Sequence, residues 1–256
     1  MIDERAIVSS SAKLAANVSV GPFAVIGDDV EIGEGTCIGP HTVIKGPTRI
    51  GQDNKIFQFS SIGDDPQDKK FRDEHTWLEI GDRNVIREFC TINRGTAQDS
   101  GLTRIGDDNW IMAYVHIAHD CIVGDHTVFA NNASLAGHAQ IDSYVILGGY
   151  TLVYQFCRVG SYSLCTFASG IHRDVPPYFI ADGYRAEPRG INTEGLRRNG
   201  FVPEEISAIR QAYKLLYLSD LKLDEAITRI RALAEQQPRL NLLVDFLNSG
   251  KRSIIR

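Results

Sequence analysis

"VGPFAVIGDDVEIGEGTCIGPHTVIKGPTRIG", residues 20–51, carries an apolar residue at every sixth position: Val20, Ile26, Ile32, Ile38, Ile44 and Ile50. Glycine follows directly at Gly21, Gly27, Gly33, Gly39 and Gly51. The series continues through Ile56 and Ile62, resumes in phase at Ile80, Ile86 and Ile92, slips once, and then runs from Ile105 to Ile171 without a break. A helix would scatter sixth residues around its circumference, so the period excludes one. A hexad suits a short strand plus a turn, and three hexads make one coil of a triangular parallel β-helix.

The position two before each apolar residue is small or β-branched, as at Val30, Thr36, Thr42, Thr48, Ser60, Val115, Thr127, Ala133, Ala139, Val145, Thr151 and Ser163. It reads as a second inward slot. Cys90, Cys121 and Cys157 fall in it and Cys165 in the apolar slot, so these thiols are expected to be core filler. Five cysteines with no CxxC pair argue against both a disulfide framework and a zinc cluster.

The coil is expected to occupy residues 1–184, with loop insertions at 64–79 ("DDPQDKKFRDEHTWLE") and 94–103 ("RGTAQDSGLT"). Residues 185–256 read as a helical domain. Helical patterns begin at Pro203, at Leu223 and after Pro238, giving three amphipathic helices to cover the open end of the last coil. No apolar run approaches the roughly 18–20 residues of a membrane span, and the acidic start "MIDERAIVSS" is unlike a signal peptide, which places the chain in the cytoplasm. The net charge of −5 disfavours nucleic-acid binding. From residue 185 onward 13 Lys+Arg face 9 Asp+Glu, a difference of +4, against 14 and 23, or −9, before it. A basic tail on an acidic body suits an acidic partner.

The chemistry concentrates in "HIAHDCIVGD", residues 116–125. If eighteen residues make one coil, residues eighteen apart stack about 4.8 Å from one another. His119, Gly137 and Gln155 then form one column, and Asp120, His138 and Phe156 the next. His119 and Gly137 lie two past an apolar slot, which faces them outward at a turn and sets an imidazole one rung from a backbone N–H that no side chain obstructs. His41, His75, His126 and His172 are isolated and are expected to be solvated. The cluster of His116, His119 and His138 beside Asp120 leaves two readings open: a base with its orienting carboxylate, or a metal site like that of the gamma-class zinc hydratases, which share this repeat.

The motifs "SIGDDPQDKKF", "TINRGT", "HIAHDCIVGD", "NNASLAGH", "QFCRVG" and "INTEGLRRNGF", in this order, resemble the bacterial acyl-[acyl-carrier-protein]:UDP-N-acetylglucosamine O-acyltransferase family, which starts lipid A assembly. The likeness spans nearly the whole chain. It implies a left-handed coil, a homotrimer with sites between subunits, acyl carrier protein and UDP-N-acetylglucosamine as substrates, and neither cofactor nor metal. It also implies roles for single residues. His119 would be the general base, Asp120 its orienter and the Gly137 N–H the oxyanion donor. Gln67, Asp68, Lys70, His116 and His138 would line the sugar and acyl site, while Gln155, Asn192, Glu194 and Arg198 would hold the nucleotide. Leu164 and Phe167 would set acyl-chain length, the phenyl ring favouring chains shorter than about fourteen carbons.

Asn93, Tyr154 and Asn199 depart from the family pattern, which commonly has histidine, histidine and a basic residue there. These departures keep a paralogue with a different acceptor, such as a 3-amino sugar nucleotide, as an alternative.

Overall fold

The computed structural model describes residues 1–256. Its strands are two to five residues long and stack in three sheets, each receiving every third strand in turn. One sheet runs from Ile7–Val8 to Gly170–Ile171 and contains His116–Ile117; we call it the histidine face. The chain passes from it to a charged face, Lys13–Leu14 to Arg158–Val159, and then to a third face, Ser19–Val20 to Phe179–Asp182. All pairings are parallel except that of Glu187–Ile191, which runs antiparallel to Phe179–Asp182 and carries the third sheet past residue 184.

The periodic residues point inward as the hexads require. Ile26, Ile44, Ile62, Ile92, Ile117 and Leu135 are buried in a continuous stack, each side chain contributing roughly 1.5–3 kcal/mol. The second slot is buried as well, from Val30 and Thr36 to Ser163, together with Cys90, Cys121, Cys157 and Cys165. Asn54, Asn84 and Asn109 occupy the same slot and form a ladder absent from the sequence reading. The Asn54 Oδ1 accepts from the Asn84 backbone N–H at 2.9 Å, and the Asn84 Oδ1 from that of Asn109 at 2.9 Å. Side-chain carbonyls thereby satisfy amides that the turn leaves without a sheet partner.

Most turns of the coil place one residue in the left-handed region, and twenty non-glycine residues of the chain adopt φ between 53° and 76°. Many are bulky, which is uncommon there. Stacking along the edges offsets the strain: Phe23, His41, Phe59, Phe89 and Tyr114 form one ladder with centroids 4.9 to 5.2 Å apart. His126 stacks on Tyr144 and His172 on Tyr154. So His41, His126 and His172, though exposed as expected, are rungs of aromatic ladders as well as solvated groups.

Both excursions are shorter than the sequence implies. Asp64 and Trp77–Ile80 are strand residues, leaving 65–76 as the first loop, and Leu102–Ile105 is a strand, leaving 94–101 as the second. Stacked partners are accordingly 30 apart across the first (Ile50 and Ile80) and 25 apart across the second (Ile92 and Ile117) in place of 18.

Four helices follow: α1 (Thr193–Arg198), α2 (Pro203–Tyr217), α3 (Leu223–Ala234) and α4 (Asn241–Ser249). The last three match the expected patterns; α1 is too short to show a period. The helices do not close the coil alone. Ile255 joins the solenoid core, its N–H donating to the Asp174 carbonyl at 2.9 Å, while α2, α3 and α4 build a second core on Tyr178 and Phe179. Along the charged face, Lys13, Glu31, Arg49, Glu79 and Arg104 alternate in sign from coil to coil, at 2.7, 3.6, 3.9 and 2.8 Å.

Candidate active site

His119 sits on the edge where the chain turns from the histidine face to the charged face. Asp120 follows in the left-handed conformation, φ 58°, which aspartate tolerates better than most residues. The turn brings Asp120 Oδ2 to 2.8 Å from His119 Nδ1. Asp120 is only 4% exposed because the 94–101 loop folds over it. The Thr96 backbone N–H donates to Oδ1 at 3.0 Å and the Thr96 hydroxyl to Oδ2 at 2.7 Å. Burial pushes the Asp120 carboxyl up, but hydrogen bonds from His119 and Thr96 outweigh it and leave the group below the usual carboxylate range. An ionised carboxylate only accepts, so His119 Nδ1 carries the proton and a neutral ring has its lone pair on Nε2.

The ring lies across Gly137. A Cβ on Gly137 would stand 2.6 Å from His119 Cε1 and 2.7 Å from Nε2. The eighteen-residue column therefore brings imidazole and glycine together, and the glycine is required by the approach. The Gly137 N–H donates to no group of the chain, whereas the next N–H, of His138, is taken by the His119 carbonyl at 3.0 Å. His138 projects beside His119, ring centroids 5.1 Å apart at 90°, and stacks on Phe156 at 4.4 Å. His116, half-buried on the histidine face, pairs through Nδ1 with the Thr91 hydroxyl at 2.7 Å. Burial, then the charge of His119, hold its pKa below the usual imidazole value.

The 65–76 loop is rooted at this edge. The Asn93 amide donates to the carbonyls of Asp64 and Asp65 at 3.3 and 2.8 Å, and the largely buried Arg94 pairs with Asp65 and lies over the Phe71 ring. Gln67 and Lys70 are exposed on the loop, and Asp68 accepts from the Lys70 backbone N–H at 2.9 Å. Asn93, a departure from the family pattern, thus anchors the loop that carries Gln67, Asp68 and Lys70.

The residues expected to hold the nucleotide divide. Gln155 stands above Gly137, where the Phe156 N–H donates to the Gly137 carbonyl. Asn192 lies on a different edge, between the charged and third faces, and its side chain is spent there, donating to the Tyr162 carbonyl at 2.9 Å and capping α1 through the Gly195 N–H at 3.1 Å. Glu194 and Arg198 share that helix, Glu194 pairing with Arg197. Arg197 and Arg198 lie in the last turn of α1. Within one chain Asn192, Glu194 and Arg198 therefore do not meet His119.

Two cavities flank the His119 edge. One of about 410 Å³ on the histidine face is lined by His116, Ser134, Leu152, Tyr154, His172 and Tyr184. The other, about 860 Å³, includes Asp99, His138, Phe156, Lys251 and Arg252. Leu164 points from the third face and Phe167, 70% exposed, from the edge beyond it, where its ring packs on Gly149 and Tyr150.

His119, Asp120 and His138 each bring one potential metal-ligand atom within 4.8 Å of the others. Yet His119 Nδ1 and His138 Nδ1 already donate to carboxylates, of Asp120 and Asp99, and both Asp120 oxygens accept from Thr96. The donor set is arranged to fix imidazoles, which suits a base better than an ion.

Residues 11–46 and 102–137 match the profile "Bacterial transferase hexapeptide (six repeats)" and residues 174–255 the profile "Udp N-acetylglucosamine O-acyltransferase; Domain 2". A hexapeptide-repeat acyltransferase with a left-handed parallel β-helix is the class that coil and tail define. The acyl-[acyl-carrier-protein]–UDP-N-acetylglucosamine O-acyltransferase of Neisseria gonorrhoeae is 57% identical over 256 residues, covering 100% of this chain and 99% of the relative. The solved UDP-N-acetylglucosamine acyltransferase of Francisella novicida superposes with a TM-score of 0.98 at 44% identity, covering 100% of this chain and 94% of that one. That of Moraxella catarrhalis gives 0.97 at 46%, covering 100% and 99%. The chain belongs to the acyl-[acyl-carrier-protein]:UDP-N-acetylglucosamine O-acyltransferase family.

Proposed function

We propose that the protein transfers a 3-hydroxyacyl chain from acyl carrier protein to the glucosamine 3-hydroxyl of UDP-N-acetylglucosamine, the first step of lipid A assembly, with His119 as general base. The observation that carries this reading is the His119 ring, held by a buried carboxylate at 2.8 Å and laid against a glycine whose N–H is free. His119 Nε2 takes the hydroxyl proton as the oxygen attacks the thioester carbonyl. The Gly137 N–H donates to the oxyanion that develops, and Asp120 stabilises the imidazolium. Collapse breaks the carbon–sulfur bond, and the departing thiolate takes the proton from His119 Nε2. Base catalysis of this kind contributes about 10²–10⁴ in rate and an oxyanion donor about 10²–10³. No cofactor is needed. Gln67, Asp68, Lys70, His116 and His138 line the sugar and acyl groups.

Asn192, Glu194 and Arg198 complete the nucleotide site from a second copy, because their edge is turned away from His119 in one chain. Outward-facing Val85, Trp110, Val128, Ile146 and Leu164 form an apolar row on the third face that suits such packing, and a homotrimer closes the arrangement. Phe167 lies 48 residues beyond His119, or 2.7 coils, which at about 4.8 Å per coil is about 13 Å along the axis. That offset is axial, with Phe167 on the opposite border of the histidine face from His119, and a phenyl ring there, with Leu164, takes the role of a stop that favours chains shorter than about fourteen carbons. No helix is long and apolar enough to cross a membrane, and both substrates are soluble, which suits a cytoplasmic enzyme.

Incubation with UDP-N-acetylglucosamine and hydroxyacyl carrier proteins of several lengths tests the reading. An acylated nucleotide is expected, fastest with donors shorter than fourteen carbons. Acylation only of a 3-amino sugar nucleotide would overturn the choice of acceptor, and a His119→Ala variant keeping more than a tenth of the rate would overturn the base.

A further inference from the structure

Two imidazole–carboxylate pairs stand on adjoining rungs, and the mechanism above uses one of them. His138 Nδ1 lies 2.8 Å from Asp99 Oδ2 and 3.9 Å from Asp120 Oδ2, the oxygen that His119 Nδ1 approaches at 2.8 Å. The two rings thus have a claim on one carboxylate, separated by about an ångström. Phe156 stacks on the His138 ring at 10° and resists its rotation about Cβ–Cγ, and Asp99 is the carboxylate within hydrogen-bond distance of its Nδ1. What turns it away from Asp120 is Asp99. The same short stretch grips both pairs, since Thr96 binds Asp120, and the Asp99 and Gly101 N–H groups close a turn on the Thr96 carbonyl at 3.3 and 3.1 Å.

We propose that Asp99 is a positioning residue for acyl transfer, holding His138 off Asp120 so that this carboxylate orients His119 alone. Asp99, Asp120 and His119 are the charged and titratable groups that face the His138 ring at its Nδ1 side. With Asp99 accepting its proton, His138 keeps Nδ1–H toward the loop and presents Nε2 to the 860 Å³ cleft. Without Asp99 the nearest carboxylate is Asp120, whose Oδ2 already accepts from His119 and Thr96. A third donor weakens the bond that sets the tautomer of the base.

The inference rests on His119 being the base, and the test separates the two. Histidine-labelled protein is compared as wild type, Asp99→Ala and Asp99→Glu, reading the imidazole N–H signals by NMR alongside kcat and KM. Asp99 is half exposed, so the variants fold. Wild type should show hydrogen-bonded Nδ1–H signals for both His119 and His138. Asp99→Ala should displace both, lower kcat about fivefold, the size of an exposed ion pair, and leave KM within twofold. Asp99→Glu should restore most of each. An unmoved His119 signal in Asp99→Ala, or a change in KM alone, would overturn the proposal. Failure of wild type to acylate the nucleotide would defeat the proposed function while the NMR comparison still judges Asp99.

Discussion

At the scale of single residues the site depends on how closely a ring can lie on a backbone. Gly137→Ala places a methyl group within 2.7 Å of His119 Nε2, so the ring must leave its position or the coil must part. The ring is the softer element. We expect the rate to fall at least a hundredfold while the melting temperature stays within a few degrees, measured by steady-state assay and thermal melting. Asp120→Asn replaces an acceptor by a group that also donates and no longer dictates the tautomer; a loss of about 10²–10⁴ in kcat is expected, with KM little changed.

His116 offers a test by pH. Burial lowers its folded pKa, so between that value and the unfolded value near 6.5 the unfolded chain binds more protons, and stability falls as pH drops through this window. Asp120, also lowered, keeps its contribution above the unfolded carboxyl value of about 3.9 and loses it only in stronger acid. Melting temperature followed downward from pH 7 should therefore decline first below about 6.5, and His116→Gln should flatten that part of the curve.

At the scale of the element the hexad is the unit. Ile117→Asp puts a charge where no polar partner exists, and loss of the cooperative unfolding transition is the expected result by circular dichroism. The thiols follow the same geometry: burial pushes Cys90 and Cys157 up to about 11 and Cys121 and Cys165 to about 12, while Cys37 is exposed. One thiol should react rapidly in native protein and five in denaturant, counted by mass spectrometry after alkylation.

Periodicity made this much legible. The meeting of His119 with Gly137 follows from a separation of eighteen, because both lie on unbroken coils. The pairing of Thr91 with His116 escaped, since the 94–101 excursion changes the separation to 25. Thr96 and Asp99 escaped for a related reason: where a loop falls is decided by the partners it finds, and a period carries no trace of them. The asparagine ladder was open to the same slot rule that found Thr36 and Thr127, but a polar amide in an inward slot reads as an exception until its acceptor is known.

At the scale of the whole molecule, one chain keeps Asn192, Glu194 and Arg198 on a different edge from His119, and the proposed function draws them from a second copy. Two inactive variants should therefore repair one another. Mixing His119→Ala with Arg198→Ala, after dissociation and reassembly, is expected to recover activity at about a quarter of the sites, those that draw an intact edge from each parent. Recovery of none would place the complete site within a single chain.

The alternating charges on the outer face act on assembly in another way. A wall of near-identical isoleucines has no mark by which one storey is told from the next, and a chain that skipped a storey would still bury oil against oil. Such a skip would set Lys13 beside Arg49, or Glu31 beside Glu79, like against like. The ladder of opposite signs therefore numbers the storeys, and concentrated salt, by blurring the numerals, should increase the share of chains that refold miscounted.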